Sequence, residues 1–181
     1  VQVAAEDGKV AAVISQCPMM DGMAAVMELV RYAGFGQLIK LSLKGVRDAL
    51  GSVVGAAPVM VPIVGSPGTL AAMSSEDAER GYLALLPERS SWRNEVCARA
   101  ALALPLYRPG LKADRLPCPI LIQICEKDTV APTGAAQAAA KRAGAGATVR
   151  SYPIGHFDIY MGDAFERAIG DQLIFLRELL V

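Results

Sequence analysis

Residues 119–132 read PILIQICEKDTVAP, and residues 148–160 read TVRSYPIGHFDIY. The apolar run from Pro119 to Cys125 has the pattern of a strand buried on both faces of a parallel sheet. A loop follows it, then an alanine-rich helix predicted from about Thr133 to Ala143 with Gly144 as its stop. In the second stretch, Thr148 to Tyr152 is a shorter strand. The loop holding His156 then leads into a final helix, with Asp163 as its predicted cap and Glu166 three residues on. Phe165, Ile169, Leu173, Leu176 and Leu180 share one stripe of that helix, which predicts that it packs on the sheet through them. Strand, helix, strand, helix with short connections specifies the α/β class, with an open parallel sheet and right-handed crossovers.

Working back toward the N-terminus, Val1 to Asp7 followed by Gly8 has the form of a helix end with a glycine stop, so the chain is expected to begin inside an element. Val10 to Gln16 (VAAVISQ) is a second buried-strand pattern, ended by Cys17-Pro18. Asp21 is placed to cap a helix through about Ala33, closed by Gly34, and an amphipathic stretch runs from Gln37 to about Val54. A further helix is opened by Ser74-Ser75-Glu76-Asp77, and another is predicted from about Ser91 to Leu104. No strand pattern interrupts this block. The resulting organisation is a core over residues 1–18, a helical cap or insertion over 19–116, and the rest of the core over 117–181.

Composition removes several classes of function. The 181 residues are 53% hydrophobic, enough for a sizeable core. Eighteen basic residues balance eighteen acidic ones, with no basic run to track phosphates, so nucleic acid is not an expected partner. Gly51 to Met73 carries no charge and approaches the length of a membrane span, but Pro58, Pro62 and Pro67 would break a helix there. It is expected to be a buried or pocket-lining segment. Cys17, Cys97, Cys118 and Cys125 lack C-x-x-C spacing and have one histidine among them, so no metal site is expected. They are taken as reduced, mostly buried thiols, which together with an N-terminus lacking a signal-peptide pattern predicts a cytoplasmic protein.

In open α/β sheets, reactive groups sit in the loops just past the carboxyl ends of strands. Asp128 follows one predicted strand in CEKDTVAP, and His156 follows the next in YPIGHFDIY. If those strands are neighbours, a carboxylate and an imidazole meet at one edge of the sheet, the geometry of an oriented general base.

ICEKDTVAP, followed by the histidine of PIGHFDIY 28 residues after Asp128, resembles the end of serine hydrolases of the α/β-hydrolase superfamily. The match runs from about Pro117 to the C-terminus, and the strand Val10 to Gln16 with its Cys-Pro ending resembles the family's strand after the nucleophile helix. The resemblance implies Asp128 as the acid and His156 as the base of a catalytic triad. It also implies a nucleophile earlier in the chain, on a G-x-S-x-G elbow. That elbow is not in the sequence, since Ser66 in V-G-S-P-G is one residue out of register. The nucleophile and the oxyanion-hole donors are therefore expected upstream, about 11 residues (one helix length) before Val1. The segment alone would be inactive. The implied activity is hydrolysis of an ester or related acyl compound without a cofactor. The alternatives are an epoxide hydrolase or dehalogenase with an aspartate nucleophile, or a hydrolase-fold protein that binds without catalysis.

Asp21 competes for the role of acid, because some members of the family place it after the earlier strand; otherwise it is a helix cap. Asp158 lies too close to His156 in sequence to orient its ring and is taken as local structure. Cys17 could pair with a histidine as a nucleophile, but it has no elbow and precedes a proline, which favours a buried thiol. Met19, Met20, Met23, Met27 and Met60 are core filler or, concentrated in the insertion, the lining of a pocket for an apolar small molecule. The edge of the strand Val10 to Gln16 is expected to be covered by a missing N-terminal half or by a second copy.

Overall fold

The computed structural model describes residues 1–179. In chain order the elements are α1 (Gln2–Asp7), β1 (Val13–Gln16), α2 (Gly22–Ala33), α3 (Phe35–Val53), β2 (Met60–Val61), α4 (Ala78–Ala84), β3 (Val96–Cys97), α5 (Ala100–Ala103), β4 (Ile120–Cys125), α6 (Thr133–Ala143), β5 (Ala147–Tyr152) and α7 (Gly162–Leu179). They form two compact units, one made of Val1–Asp21 with the chain from Arg108 onward, the other of Gly22–Tyr107.

The first unit is built on a parallel sheet of order β1-β4-β5. Its centre is β4, buried at every position, because both neighbours and helices on either side cover a segment that is apolar throughout except for Gln123. Ile120, Ile122 and Ile124 point to one face and pack with Met20, Ala113, Ala136, Ala139 and Ala140. The opposite face at the strand ends holds Cys17, Cys125, Tyr152, Ile159 and Ala168. Alternation along the strand thus separates an alanine-lined layer under α6 from a mixed layer under α7. β1 differs from the expected buried strand in two respects. It starts at Val13, where the Val13 N–H reaches the Pro119 carbonyl at 2.9 Å, because residues before it have no partner strand to pair with. It is also only half-buried, since it lies at the edge of the sheet.

The last helix seats on the sheet by a different stripe from the one predicted. Ala168 and Phe175 are buried, whereas Phe165, Leu173 and Leu176 are exposed and Ile169 is half-buried. Leu180 lies outside the described residues. The physical cause is polar. Gln123, fully buried in β4, donates from Nε2 to the Ala168 carbonyl at 2.8 Å and to the Tyr152 hydroxyl at 2.8 Å. Gln172 donates to the Gln123 and Gln16 side-chain oxygens at 2.7 and 2.8 Å, and the Tyr152 hydroxyl donates to Asp171 at 2.6 Å. A buried amide must be satisfied, and only a small residue such as Ala168 lets the helix backbone approach closely enough to do so. The helix also begins at Gly162, so Asp163 sits in its first turn and is not its cap.

In the second unit, Leu29, Leu41, Val61 and Ala98 form the core between α2, α3 and the short antiparallel pair β2–β3. That pair corrects the prediction of a strand-free block with a helix from Ser91 to Leu104. The helical turn there spans only Ala100–Ala103. Side chains claim the backbone instead. Asn94 accepts the N–H groups of Ile63 and Val64 at 2.9 Å each and donates to the Val64 carbonyl at 2.8 Å. Asp48, buried in α3, accepts the N–H of Val59 at 2.8 Å and that of Arg99 at 2.9 Å. Such bonds override helix propensity. Within the charge-free segment Val61, Val64 and Ala71 are buried, while residues 52–58 are exposed. Among the described residues, no helix is long and apolar enough to cross a membrane.

Candidate active site

The loops after β4 and β5 are tied together before any side chain is considered. The Glu126 N–H donates to the Tyr152 carbonyl at 2.8 Å, and the Lys127 N–H to the Ile154 carbonyl at 3.0 Å. These bonds continue the parallel register Cys125↔Tyr152 past the end of the sheet. They bring Asp128 and His156 to the same edge.

Asp128 uses both of its oxygens. Oδ1 accepts the N–H groups of Val130 at 2.8 Å and Ala131 at 2.6 Å, a turn closed on the aspartate's own side chain. Oδ2 lies 2.7 Å from Nδ1 of His156. The Asp128 side chain is 2% exposed and that of His156 16%, so the pair is shielded while part of the ring reaches the surface. An ionised carboxylate only accepts hydrogen bonds, so in the neutral ring Nδ1 carries the proton and Nε2 presents its lone pair. The ring is braced by an edge-on contact with Phe157, centroids 4.9 Å apart, and by Tyr160 at 6.2 Å. Burial pushes the Tyr160 phenol up to about 12, with Cys17, Cys125 and Asp128 adding to the effect. Asp158 accepts the Gly155 N–H at 2.8 Å and so shapes the turn that presents the histidine.

The competing residues are engaged elsewhere. Asp21 takes the Arg108 guanidinium, with Nη2 to Oδ2 at 2.7 Å and Nε to both oxygens at 3.1 Å. Ser66 donates its hydroxyl to the Glu79 carboxylate.

Beside the pair, the structure places two sulfurs that the sequence reading left unconnected. Cys17 Sγ and Cys125 Sγ are buried and 2.9 Å apart. The Cys125 contact and burial push the Cys17 thiol well above the ordinary range, which makes it a poor nucleophile at neutral pH. Cys17 is also the one non-glycine residue with a positive φ, 43°, among the described residues, a strained turn out of β1. Ligand atoms of Cys17, Asp128 and His156 lie within 4.8 Å of one another. The signal was present in the sequence, since both cysteines end strand patterns, but linking them needs the register of β1 against β4.

No family model matches the chain. It is 41% identical over 177 residues to the quorum-quenching protein AidA of Acinetobacter baumannii (strain MDR-ZJ06), a match covering 98% of this chain and 57% of that protein. Among solved structures, that of DcsB in complex with its substrate analogue superposes with a TM-score of 0.68 at 22% identity, covering 97% of this chain and 58% of the other. The α/β hydrolase GrgF from Penicillium sp. sh18 gives a TM-score of 0.68 at 20% identity, covering 97% and 57%. The chain thus spans less than two thirds of the length of each of these relatives.

Proposed function

We propose, from a chain that has the fold of the α/β-hydrolases, that it supplies the acid and base of a serine hydrolase acting on an ester or related acyl compound. The observation carrying this is the 2.7 Å contact of Asp128 with His156, the acid's second oxygen being pinned by two backbone N–H groups. His156 Nε2 takes the proton of a serine hydroxyl as it attacks the acyl carbon, then returns it to the leaving alcohol. Asp128 holds the ring in the working tautomer and stabilises the imidazolium.

The serine, on a G-x-S-x-G turn, and the oxyanion-hole donors come in this reading from sequence ahead of Val1, so residues 1–181 alone would not complete acyl transfer. Similarity to a quorum-quenching protein supports a signalling compound as the substrate of the whole protein. The unit Gly22–Tyr107 would act as the cap that selects it, in a reducing cytoplasm that keeps the thiols free.

Labelling of the full-length protein by a fluorophosphonate, which reacts with activated serines, tests the reading. The wild type is expected to be labelled and His156→Ala to lose the label. A wild type that hydrolyses acyl esters but resists the probe would replace serine as the nucleophile, and one that does neither would overturn the proposal.

A further inference from the structure

Cys17 and Cys125 end adjacent parallel strands, and their sulfurs stand 2.9 Å apart although 108 residues separate them in sequence. That is inside the ordinary contact distance of two sulfurs and less than an ångström beyond a disulfide bond of about 2.05 Å. Both side chains face the same shallow depression, together with Asp128, Ala131 and Thr133. An oxidant that reaches either sulfur meets two thiols at once.

We propose that Cys17 and Cys125 form an oxidisable dithiol site that takes hydroperoxides and closes to a reversible disulfide beside the Asp128–His156 pair. In the first step one sulfur attacks a peroxide oxygen. An S–O bond forms, the O–O bond breaks, and the departing oxygen leaves with the thiol proton as alcohol or, from hydrogen peroxide, water. In the second step the other sulfur attacks the sulfenic sulfur. The S–S bond forms, the S–O bond breaks, and the hydroxyl leaves with the second thiol's proton as water. The two sulfurs give up two electrons and the peroxide bond accepts them. Whichever sulfur is oxidised first, the other already stands within contact distance as the partner of its sulfenic acid.

The crosslink would join the ends of β1 and β4. The Asp128 N–H donates to the Cys125 carbonyl at 3.1 Å, so the turn carrying the carboxylate begins at the crosslinked residue. Cys97 and Cys118, both half-buried, belong to other segments and serve as internal controls.

The test is thiol mapping of the folded protein after mild hydrogen peroxide, with alkylation under denaturing conditions and mass analysis of peptides. The expected result is a Cys17–Cys125 linked peptide, Cys97 and Cys118 still alkylated, full reversal by a thiol reductant, and a Tm raised by roughly 5–15 °C while oxidised. In Cys125→Ala the crosslink and the Tm rise should both be lost. Four alkylated cysteines after peroxide, sulfinic acids in place of the crosslink, or a bond to Cys97 or Cys118 would overturn the proposal. The readout is chemical, so it stands or falls independently of whether His156 acts as a base.

Discussion

Asp128 shows how a carboxylate is committed to one task by its neighbours. Two backbone N–H groups on Oδ1 fix its plane, so Oδ2 can meet only the group placed opposite, and that group is Nδ1 of His156. Replacing the acid by its amide would reverse the preferred tautomer of the ring without emptying the space. On the proposed reading, Asp128→Asn is therefore expected to lower kcat of the full-length protein by about 10⁴, the scale seen when a triad loses its acid. Asp158→Asn, which affects only the turn, should fall by far less, and steady-state kinetics on an acyl ester separate the two. Both residues of the pair were legible in the sequence, because each follows an apolar run at the place where α/β sheets carry chemistry. What was not legible was the cysteine pair: Cys17 and Cys125 become neighbours only through the register of β1 on β4, which no local pattern encodes.

Among the elements, β4 was the plainest in the sequence, since a run of Ile, Leu and Ile has one low-energy place in such a fold, the centre of the sheet. Ile122→Ala should cost about 2–5 kcal/mol in a urea titration, the range for a fully buried aliphatic side chain. Helix α7 was the opposite case. Its presence was read correctly and its buried face was not, because the stripe of large apolar residues hid the small and polar residues that satisfy Gln123. The same conflict erased the predicted helix after Ser91, where Asn94 and Asp48 bind backbone groups of distant segments. Close backbone approaches are equally invisible to periodicity. A Cβ at Gly22 would lie 1.8 Å from the Leu104 carbonyl oxygen, whereas one at Gly134, within α6, meets nothing within 4 Å. Gly22→Ala should destabilise by at least about 1–3 kcal/mol, the ordinary cost of overpacking. Gly134→Ala should stabilise by about 0.4–1 kcal/mol, and chemical denaturation reads both.

For the molecule as a whole, the acid limb of stability should carry the signature of Asp48. Its carboxyl is held below the ordinary carboxylate range, first by the Arg99 N–H, then by the Val59 N–H and the Arg99 charge, which together outweigh its burial. A lowered folded value means that the stabilisation is complete above the unfolded aspartate value of about 3.9 and is lost as pH falls through the folded value. Thermal melts of the wild type should therefore weaken in that acid window, and Asp48→Asn should be less stable at neutral pH with a shallower acid dependence. At this scale the sequence conveyed the α/β class and the chain order of the three parallel strands with α6 and α7. The bounds of the two compact units depend on packing between segments distant in the chain, such as Gly110 against Met20, and that is not written in any local run.

The whole account turns on an imidazole whose Nδ1 proton is held by a carboxylate. His156 is the only histidine in the sequence, so protein labelled with ¹⁵N at histidine, with His156→Gln to assign the signal, reports on this ring directly. The predicted spectrum shows a downfield, exchange-protected proton on Nδ1 that vanishes in Asp128→Asn. A ring protonated on Nε2 at neutral pH, or a spectrum that Asp128→Asn leaves unchanged, would contradict it.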